Sequence, residues 1–302
     1  MAPSPLRTAM RYSINALTKP VRVPRVGTPS LADRVAGRVV FITGASSGIG
    51  RRLAQRVAGA GATAVVTARR ADELDRLVRE IEATGGTAHA VVGDLSTEEG
   101  INEVAQAVLD QFGAPDVFVS NAGRSIMRSV AESEHRLHDY ERTMRLNYLA
   151  GVGLTLRFLP GMRSRRSGHV VHSSSVGVLS NLPTFSAYIG SKAALDAFFG
   201  VAAIESLRDG VRFTNVHLPL VDTEMIAPTD WSGFASLTVD EATDMLIDAI
   251  RRRPRAVNNP LGSMYLAAHA VAPDTLRLLQ NTMFHEIGVG QTTSDRAGSE
   301  KA

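Results

Sequence analysis

Tyr188 and Lys192 are the residues whose types and spacing point most directly to chemistry. Residues four apart in a helix lie on one face, a single turn from each other. A free tyrosine titrates near ~10, and a nearby lysine cation lowers that pKa because it stabilises the phenolate. The pair therefore indicates a general acid and base for an oxygen atom that gains or loses charge. Solvated surface helices contain the same spacing, so the interpretation depends on the elements around the pair.

The composition is that of an ordinary globular protein. The chain has 302 residues, of which 44% are hydrophobic, and a net charge of only +3, which suits one large domain or two small ones and gives no argument for nucleic-acid binding. The sequence contains no cysteine, which excludes disulfides, thiolate metal sites and a covalent thioester on the enzyme. No apolar run is long enough to predict a transmembrane helix.

A phosphate-binding turn is predicted near the start of the chain. The apolar run Val39–Ile42 predicts a buried parallel strand, and Leu53 and Val57 have the spacing of a helix. Glycines between these elements let the backbone approach a pyrophosphate, and the helix N-terminus offers unpaired N–H groups. The spacing is Gly-x-x-x-Gly-x-Gly rather than the usual Gly-x-Gly-x-x-Gly. The predicted cofactor contacts in this turn are Gly44, Ser46, Ser47, Gly48, Ile49 and Gly50.

The residues that follow the second predicted strand, 64–67, indicate which nicotinamide cofactor fits. An acid at this point would accept hydrogen bonds from a free ribose 2′-hydroxyl. The chain has Arg69 and Arg70 instead, and guanidinium groups suit a 2′-phosphate. We therefore expect NADP(H), with Arg69 as a contact. The alternative is that both arginines belong to a solvated helix start, since Asp72 and Glu73 follow.

Strands and helices continue to alternate, which predicts an α/β fold with a doubly wound, Rossmann-type parallel sheet. The next predicted elements are helix 71–84, strand 88–92, helix 101–112 and strand 116–119. Ligands bind at the carboxyl ends of such strands. Asp94 and Leu95 follow the third strand and are predicted cofactor contacts. Asp94 either caps the next helix or binds the adenine amino group.

The chain resembles the short-chain dehydrogenase/reductase family over about residues 37–223. The resemblance rests on the order of three motifs: Thr43–Gly50, Asn121-Ala122-Gly123 and Tyr188-x-x-x-Lys192. It implies two further catalytic residues, Asn147 and Ser175, with Ser174 as the alternative to Ser175. The further cofactor contacts that it implies are Asn121, Ala122, Gly123, Tyr188, Lys192, Pro219, Val221 and Thr223. Leu220 stands where the family has a glycine.

The family resemblance also implies a mechanism in which NADPH delivers hydride to a carbonyl carbon. Ser175 and Tyr188 would hydrogen-bond the carbonyl oxygen as its charge develops, and Tyr188 would supply the proton. Lys192 would lower the tyrosine pKa and hold the nicotinamide ribose, while Asn147 would position a water that links Lys192 to solvent. No metal site is expected, and the histidines are predicted to be non-catalytic: His135, His138, His169 and His172.

A finer resemblance suggests the substrate. Residues 121–126, 138–144, 185–188 and 219–229 are similar to those of bacterial fatty acyl-CoA reductases of the short-chain type. The implied reaction reduces a long-chain acyl-CoA, a lipid substrate, to an aldehyde and free CoA. The alternative enzyme is a ketone or alcohol oxidoreductase that acts on a lipid, 3-oxoacyl or steroid-like substrate. A catalytically idle nucleotide-binding protein is the third possibility, and the intact catalytic set argues against it.

Two surface features were assigned to this substrate. The segment 221–237 is predicted to be a flap whose apolar side chains contact the acyl chain: Met225, Ile226, Trp231 and Phe234. The second feature is a basic cluster that would contact CoA phosphates or form a solvated helix end: Arg163, Arg165 and Arg166.

The expected organisation is one Rossmann-type catalytic domain, 38–258, with an extension at each end. The extension 1–37 has five basic residues and no acid before Asp33, so it is a candidate for peripheral contact with an anionic membrane, or else a loosely docked tail. It contains a short predicted helix at 31–36. An amphipathic helix is predicted at 239–253, and a helical segment and tail at 259–302. We expect a cytoplasmic protein that is either free or associated with a membrane. The family resemblance implies a homodimer or homotetramer.

Overall fold

A single parallel sheet organises the structure. The computed structural model describes residues 15–20, 27–226, 234–282 and 284. Within them seven strands pair in the order β3-β2-β1-β4-β5-β6-β7, and every pairing is parallel. The strands are β1 Val39–Thr43, β2 Thr63–Ala68, β3 Thr87–Val92, β4 Val117–Ser120, β5 Gly168–Ser175, β6 Val211–Leu218 and β7 Ala256–Asn258. The predicted doubly wound, Rossmann-type sheet is thus confirmed.

Helices cover both faces of this sheet. They are α1 Leu31–Val35, α2 Gly48–Gly59, α3 Ala71–Ala83, α4 Glu98–Phe112, α5 Leu137–Met144, α6 Ala150–Ser164, α7 Val176–Ser180, α8 Ser186–Glu205, α9 Val239–Arg252, α10 Pro260–Val271 and α11 Pro273–Thr282. A π-helical turn, Arg145–Leu149, joins α5 to α6. The helices predicted at 31–36, 71–84, 101–112 and 239–253 all form, with ends within three residues of the predicted ones.

The core has two layers because neighbouring residues of a strand point to opposite faces. In β1, Val40 and Ile42 pack with α2, α3 and α9 on one face. Phe41 points to the other face and packs with α4, α6 and α8. There the rings of Phe41, Phe118 and Phe158 lie with centroids 5.5–5.7 Å apart. Burial of each ring contributes roughly 1.5–3 kcal/mol, so this cluster fixes β1 and β4 side by side.

The sheet changes direction between β1 and β4. The chain winds outward from β1 through β2 to β3, then returns to β4 and continues through β5 and β6. The loops after β1 and β4 therefore leave the sheet on opposite sides and open a crevice at the carboxyl ends of the strands. This crevice is where the predicted glycine turn and catalytic residues must meet.

Residues outside the predicted catalytic domain also pack on this body. Val35 of α1 is fully buried in the core, and the Arg34 side chain donates a hydrogen bond to the carbonyl of Arg251. The Asn15 side chain accepts a hydrogen bond from the backbone N–H of Ala235. The boundaries at 37/38 and 258/259 stay predictions, but packing crosses both of them. The leader through residue 14 and the tail beyond residue 284 lie outside the described residues.

Among the residues that the structure describes, one helix is long and apolar enough to cross a membrane by length and composition. It is Ser186–Glu205, which is α8. This helix packs against the sheet through Leu195 and Phe199 and carries both Tyr188 and Lys192. Length and apolar composition are weak evidence for a membrane span, because a core helix has the same properties.

Candidate active site

The crevice contains a cavity of about 780 Å³. All of the predicted site residues line it except Gly50 and Asn147, and these two lie directly behind the lining. The cofactor-binding and catalytic predictions therefore converge on one place, although their roles stay predictions. The cavity extends past these residues toward α7, α10 and the flap, where its lining is largely apolar.

The turn after β1 has the geometry that a phosphate needs. Gly44 has φ +68°, a conformation that favours glycine, and a Cβ at Gly50 would lie 2.4 Å from the Gly44 carbonyl oxygen. Ser47 precedes α2 and makes no side-chain capping bond. The first N–H groups of α2 consequently face the cavity without a side-chain acceptor, as an anion site requires.

Asn121 holds this turn in place. Its side-chain amide donates to the carbonyls of Thr43, at 3.0 Å, and Gly44, at 3.3 Å. The Thr43 hydroxyl in turn accepts from the backbone N–H groups of Asn121 and Ala122, both at 2.9 Å. The amide of Asn121 is thus engaged in joining the ends of β1 and β4. Asn121 and Ala122 still line the cavity, so a contact with the cofactor remains a prediction.

Arg70 and Ser46 form a polar pair at one end of the cavity. The Arg70 guanidinium donates to the Ser46 hydroxyl from Nε, at 3.3 Å, and from Nη2, at 3.0 Å. It also lies 4.0 Å from the Glu224 carboxylate. Arg69 lines the same end, and both arginine side chains are exposed. Two guanidinium groups and a hydroxyl therefore stand where the sequence predicted a ribose phosphate, and only Arg70 is fixed by a neighbour that also lines the cavity.

Asp94 is held at the adjacent strand end. Burial raises the pKa of its carboxyl, but hydrogen bonds from the backbone and side chain of Ser96 and the charges of Arg69 and Arg124 outweigh that effect and lower it. The cap of α4 is not Asp94 but Thr97, whose hydroxyl accepts from the Gly100 N–H at 3.0 Å. Of the two predicted roles for Asp94, helix capping is therefore wrong, and adenine binding stays open.

Ser175 and Tyr188 approach each other in the lining of the cavity. Burial raises the pKa of Tyr188, the hydrogen bond with Ser175 lowers it, and the charge of Asp196 raises it, so that the net shift is upward. The net direction is therefore opposite to the lowering expected from Lys192, because burial is the largest effect on the Tyr188 pKa. Ser175 is the last residue of β5, and its hydroxyl also accepts from the Gly177 N–H at 3.1 Å. That bond starts α7 and aims the serine at Tyr188.

Lys192 is buried one turn beyond Tyr188 on α8. Its ammonium group donates to the carbonyl of Ser173 at 2.7 Å. Burial lowers its pKa to about 8, and the opposite charge of Asp196 counteracts that fall. A Cβ at Gly123 would lie 3.4 Å from both the Lys192 ammonium and the Asn147 side-chain oxygen. Gly123 therefore lets the backbone after β4 pass close to both catalytic side chains.

Asn147 lies in the π-helical turn between α5 and α6. Its amide nitrogen donates to the Arg124 carbonyl and to the Ser191 hydroxyl, both at 2.9 Å, and its oxygen accepts from the Arg124 N–H at 2.8 Å. The extra residue of a π turn can aim a side chain out of the regular helical register. The turn brings Asn147 to Gly123, which Lys192 also approaches, and most of the hydrogen-bonding capacity of Asn147 fixes the chain after Gly123.

The loop after β6 covers the glycine turn. Thr223 lies over Gly48, since a Cβ at Gly48 would be 3.4 Å from the methyl group of Thr223. Val221 bridges to Leu237, and the backbone carbonyl of Leu220 accepts a hydrogen bond from Leu237 N–H at 2.8 Å. Leu220, Met225, Ile226 and Phe234 line the cavity, in agreement with the predicted flap. Trp231 lies outside the described residues.

The basic cluster predicted to contact CoA phosphates lies elsewhere. Arg163 pairs with Asp209 at 3.0 Å, and Arg165 donates to the carbonyls of Ala114 and Pro115, which precede β4. Arg166 donates to the carbonyl of Arg208. These contacts place the cluster at the amino ends of the strands, at the edge opposite the cavity. The structure therefore favours the alternative of a helix end over a CoA contact, because the helix returns the chain from one edge of the sheet to the other.

No group of histidine and acidic side chains in the described part of the chain could hold a metal ion. His169 and His172 are both buried in β5, where His169 contacts the Thr214 hydroxyl at 2.9 Å. No role was predicted for Asp196, Thr18 or Tyr265, although the charge of Asp196 acts on Lys192 and the other two residues line the cavity. The four-residue spacing of Lys192 and Asp196 could have indicated that these two side chains lie close together. No sequence pattern indicates that Thr18 and Tyr265 reach the cavity.

Comparison with known proteins agrees with this geometry. Residues 38–231 match the profile of the short chain dehydrogenase family. The chain is 46% identical over 275 residues to an uncharacterized oxidoreductase of Mycobacterium tuberculosis, covering 90% of this chain and 80% of that protein. It is 41% identical over 254 residues to a fatty acyl-CoA reductase of Acinetobacter baylyi, covering 84% and 86%.

A solved structure shows the same fold with its cofactor. L-sorbose reductase from Gluconobacter frateurii, complexed with NADPH and L-sorbose, superposes with a TM-score of 0.66 at 27% identity, covering 72% of this chain and 91% of that one. The profile match, the sequence relatives and the fold agree with the glycine turn and the Tyr188–Lys192 pair in one crevice. The chain belongs to the short-chain dehydrogenase/reductase family, whose members are oxidoreductases that bind a nicotinamide cofactor.

Proposed function

We propose that this protein reduces long-chain fatty acyl-CoA to fatty aldehyde and free CoA, with NADPH as the hydride donor. The observation that carries the proposal is the 41% identity to a fatty acyl-CoA reductase over 84% of this chain, a span that includes the substrate half. The cavity supports it independently, since its volume of about 780 Å³ lies in the range of sites for large ligands.

The residues at the cofactor end fit NADPH. Bound NADPH supplies a hydride to the carbonyl carbon. The glycine turn and the first N–H groups of α2 would hold the pyrophosphate, and the cationic group formed by Arg69, Arg70 and Ser46 would hold the 2′-phosphate. The Lys192 ammonium would hold the nicotinamide ribose.

The acyl chain would occupy the apolar end of the cavity. Its walls come from the residues around α7, from the loop after β6 and from the start of α10, which are distant in sequence. The apolar side chains there are Leu182, Phe185, Ile189, Leu220, Ile226 and Leu261, joined by the ring of Tyr265. Burial of hydrocarbon against such walls is favourable by about 0.8 kcal/mol for each methylene, which would select long chains over short ones.

The catalytic side chains can carry the proton chemistry of thioester reduction. The hydroxyls of Ser175 and Tyr188 would donate to the thioester oxygen as negative charge develops, and transfer of the Tyr188 proton would complete a hemithioacetal. When the carbon–sulfur bond breaks, the hydroxyl proton returns to Tyr188 and the CoA thiolate leaves and takes up a proton from solvent. Because the chain has no cysteine, the acyl group stays on CoA until that step.

A ketone or alcohol oxidoreductase is the second candidate. It is favoured by the structural similarity to L-sorbose reductase, whose complex contains NADPH and L-sorbose. A ketone needs the same two hydroxyl donors and the same proton, so the catalytic geometry serves both reactions. The apolar cavity would then take a lipid, 3-oxoacyl or steroid-like ketone.

Turnover of palmitoyl-CoA tests the proposal. The purified protein should consume NADPH and release CoA thiol and hexadecanal in equal amounts, with NADPH used in preference to NADH. NADPH oxidation is followed by absorbance, thiol by a colorimetric reagent, and aldehyde by mass spectrometry.

Tyr188→Phe is the control variant, since it removes only the hydroxyl. It should abolish thiol release and retain NADPH binding, as measured by fluorescence. Turnover of ketones or secondary alcohols without thiol release would refute thioester reduction and favour the second candidate. An equal rate with NADH would contradict the assignment of the arginines to a 2′-phosphate.

A further inference from the structure

A buried acid lies next to the catalytic lysine, and the chemistry described so far gives it no part. Asp196 follows Lys192 by one turn of α8, so the two side chains lie on the same face. One carboxylate oxygen of Asp196, Oδ2, accepts hydrogen bonds from the Ser174 hydroxyl at 3.0 Å and from His217 Nε2 at 2.8 Å. The side chain is only 13% exposed. An acid held so firmly in the interior needs a compensating charge.

His217 is fixed as a hydrogen-bond donor to this acid. Its other ring nitrogen, Nδ1, lies 2.6 Å from the side-chain amide of Asn258 on β7. An ionised Asp196 can only accept, so His217 Nε2 would carry the proton of their shared hydrogen bond. With a second donor in Ser174, Asp196 Oδ2 receives two hydrogen bonds. This is the pattern of an ionised carboxylate.

The second carboxylate oxygen, Oδ1, has no hydrogen-bond partner among the described residues. Its neighbour is His172 Nε2 on β5, 3.6 Å away, which is too long for a hydrogen bond. His172 Nδ1 lies 3.3 Å from the Ser120 carbonyl and so carries the ring proton. Burial and the charge of Lys192 hold the pKa of His172 well below 6.5, so this ring is neutral and supplies no positive charge.

Lys192, on the same face of α8, offers Asp196 a positive charge. The titratable groups that face Asp196 are His172 from β5, His217 from β6, and Tyr188 and Lys192 from α8 itself. Lys192 is 3% exposed, and its ammonium group donates to the neutral backbone carbonyl of Ser173. A buried lysine without a nearby anion loses its proton readily.

We propose that Asp196 is a positioning residue that keeps Lys192 protonated in the active site, with Ser174 and His217 holding its carboxylate in place. Ser174, Asp196, His217 and Asn258 form this network, which extends from β5 through α8 to β6 and β7. The carboxylate that stabilises the Lys192 charge is therefore held by the packed sheet and not by groups in the open cavity. The inference relies on the role of Lys192 in the proposed function but does not depend on the substrate.

The sequence allows a direct measurement, because it contains only three lysines, Lys19, Lys192 and Lys301. Protein labelled with ¹³C at the lysine ε-carbon should give three signals, and a pH titration by NMR gives a midpoint for each. Lys192→Arg identifies the Lys192 signal by its loss. In the unmodified protein we expect Lys192 to titrate at about 8. In Asp196→Asn, which keeps the shape and removes the charge, its midpoint should fall by roughly one unit.

Two control variants make the measurement specific. Asp209→Asn removes the same charge from the far edge of the sheet, where Asp209 pairs with Arg163, and should leave Lys192 unchanged. Asp196→Glu retains the charge and should restore most of the Lys192 midpoint. If Asp196→Asn misfolds, as judged by circular dichroism, Asp196→Ser removes the charge with a smaller side chain. Where turnover is measurable, the alkaline loss of kcat/KM should move to lower pH together with the Lys192 midpoint.

An unchanged Lys192 midpoint in the folded Asp196 variants would overturn the proposal and indicate that Asp196 is neutral, with its proton directed at His172. An equal shift in Asp209→Asn would also overturn it, because the effect would then be one of net charge. The titration needs no substrate. If the Lys192 midpoint falls in Asp196→Asn but the protein does not reduce thioesters, this inference stands and the proposed function is refuted. If the protein reduces thioesters but the midpoint does not change, the proposed function stands and this inference is refuted.

Discussion

Ser174 and Ser175 are adjacent at the end of β5, yet their hydroxyls have different partners. Ser175 faces Tyr188 and lowers the pKa of its hydroxyl, whereas Ser174 donates to Asp196 at 3.0 Å. The sequence alone left both serines open as the catalytic residue, because spacing does not say which hydroxyl meets the tyrosine. We therefore expect Ser175, rather than Ser174, to bind a substrate oxygen together with Tyr188. We expect Ser174 to affect the active site indirectly, through its hydrogen bond to Asp196.

This difference predicts unequal effects on catalysis. Ser175→Ala removes a donor to the developing negative charge and should lower kcat by roughly 10²–10³-fold. Ser174→Ala removes one hydrogen bond from a carboxylate that keeps another, so kcat should fall by about tenfold at most. Steady-state kinetics on the substrate that the protein turns over, with NADPH binding measured alongside, checks both. Equal losses in the two variants would contradict the assignment of Ser175.

At the scale of elements, the start of α10 joins three parts of the chain. The Asn259 side chain caps α10 by accepting from the Gly262 N–H at 2.8 Å, and its amide nitrogen donates to the Thr18 carbonyl at 2.9 Å. Thr18 and two residues of α10, Leu261 and Tyr265, line the cavity. A single side chain therefore fixes both the helix and the N-terminal segment that close the apolar end of the site.

Asn259→Ala should accordingly have two effects. Loss of the cap should lower the free energy of unfolding by about 1 kcal/mol, and release of Thr18 should raise KM for the substrate with a smaller change in kcat. Thr97→Ala is the matched control, because Thr97 caps α4 in the same way at 3.0 Å but does not line the cavity. Urea unfolding and steady-state kinetics separate the effects. A KM increase of the same size in Thr97→Ala would show that general destabilisation is the cause.

The elements also show what the sequence could predict. Strands β1 to β4 and helices α2, α3, α4 and α9 follow from local hydrophobic periodicity and turn residues, so their positions were predictable. The glycine turn and the catalytic pair were predictable for the same reason, since each is a short local motif. Contacts between distant segments were not, and Asn259 with Thr18 is the clearest case. The structure likewise does not favour the CoA assignment of Arg163, since local sequence does not reveal which edge of the sheet a helix end reaches.

At the scale of the whole molecule, two neighbouring helices expose apolar side chains on the surface away from the sheet. On α8, Val201 is 56% and Ile204 is 79% exposed, and on α6 Leu156 is 57% exposed. Single exposed apolar residues are common, but a group on adjacent helices indicates an interaction surface. A second copy of the chain is the partner that the expected homo-oligomer would place there, and a symmetric interface would pair like helices.

Ile204→Arg should therefore dissociate the oligomer. An arginine in the middle of such an interface would be buried without a partner, which opposes association strongly. Size-exclusion chromatography with light scattering should show a dimer or tetramer for the unmodified protein and a monomer for the variant. Val130→Arg is the matched control, because Val130 is similarly exposed, at 71%, but precedes α5 on another part of the surface. A monomeric unmodified protein would refute the expected assembly, and an assembled Ile204→Arg would place its interface elsewhere.

Because α8 also carries Tyr188 and Lys192, activity measured across the dissociation range would show whether assembly supports the active site.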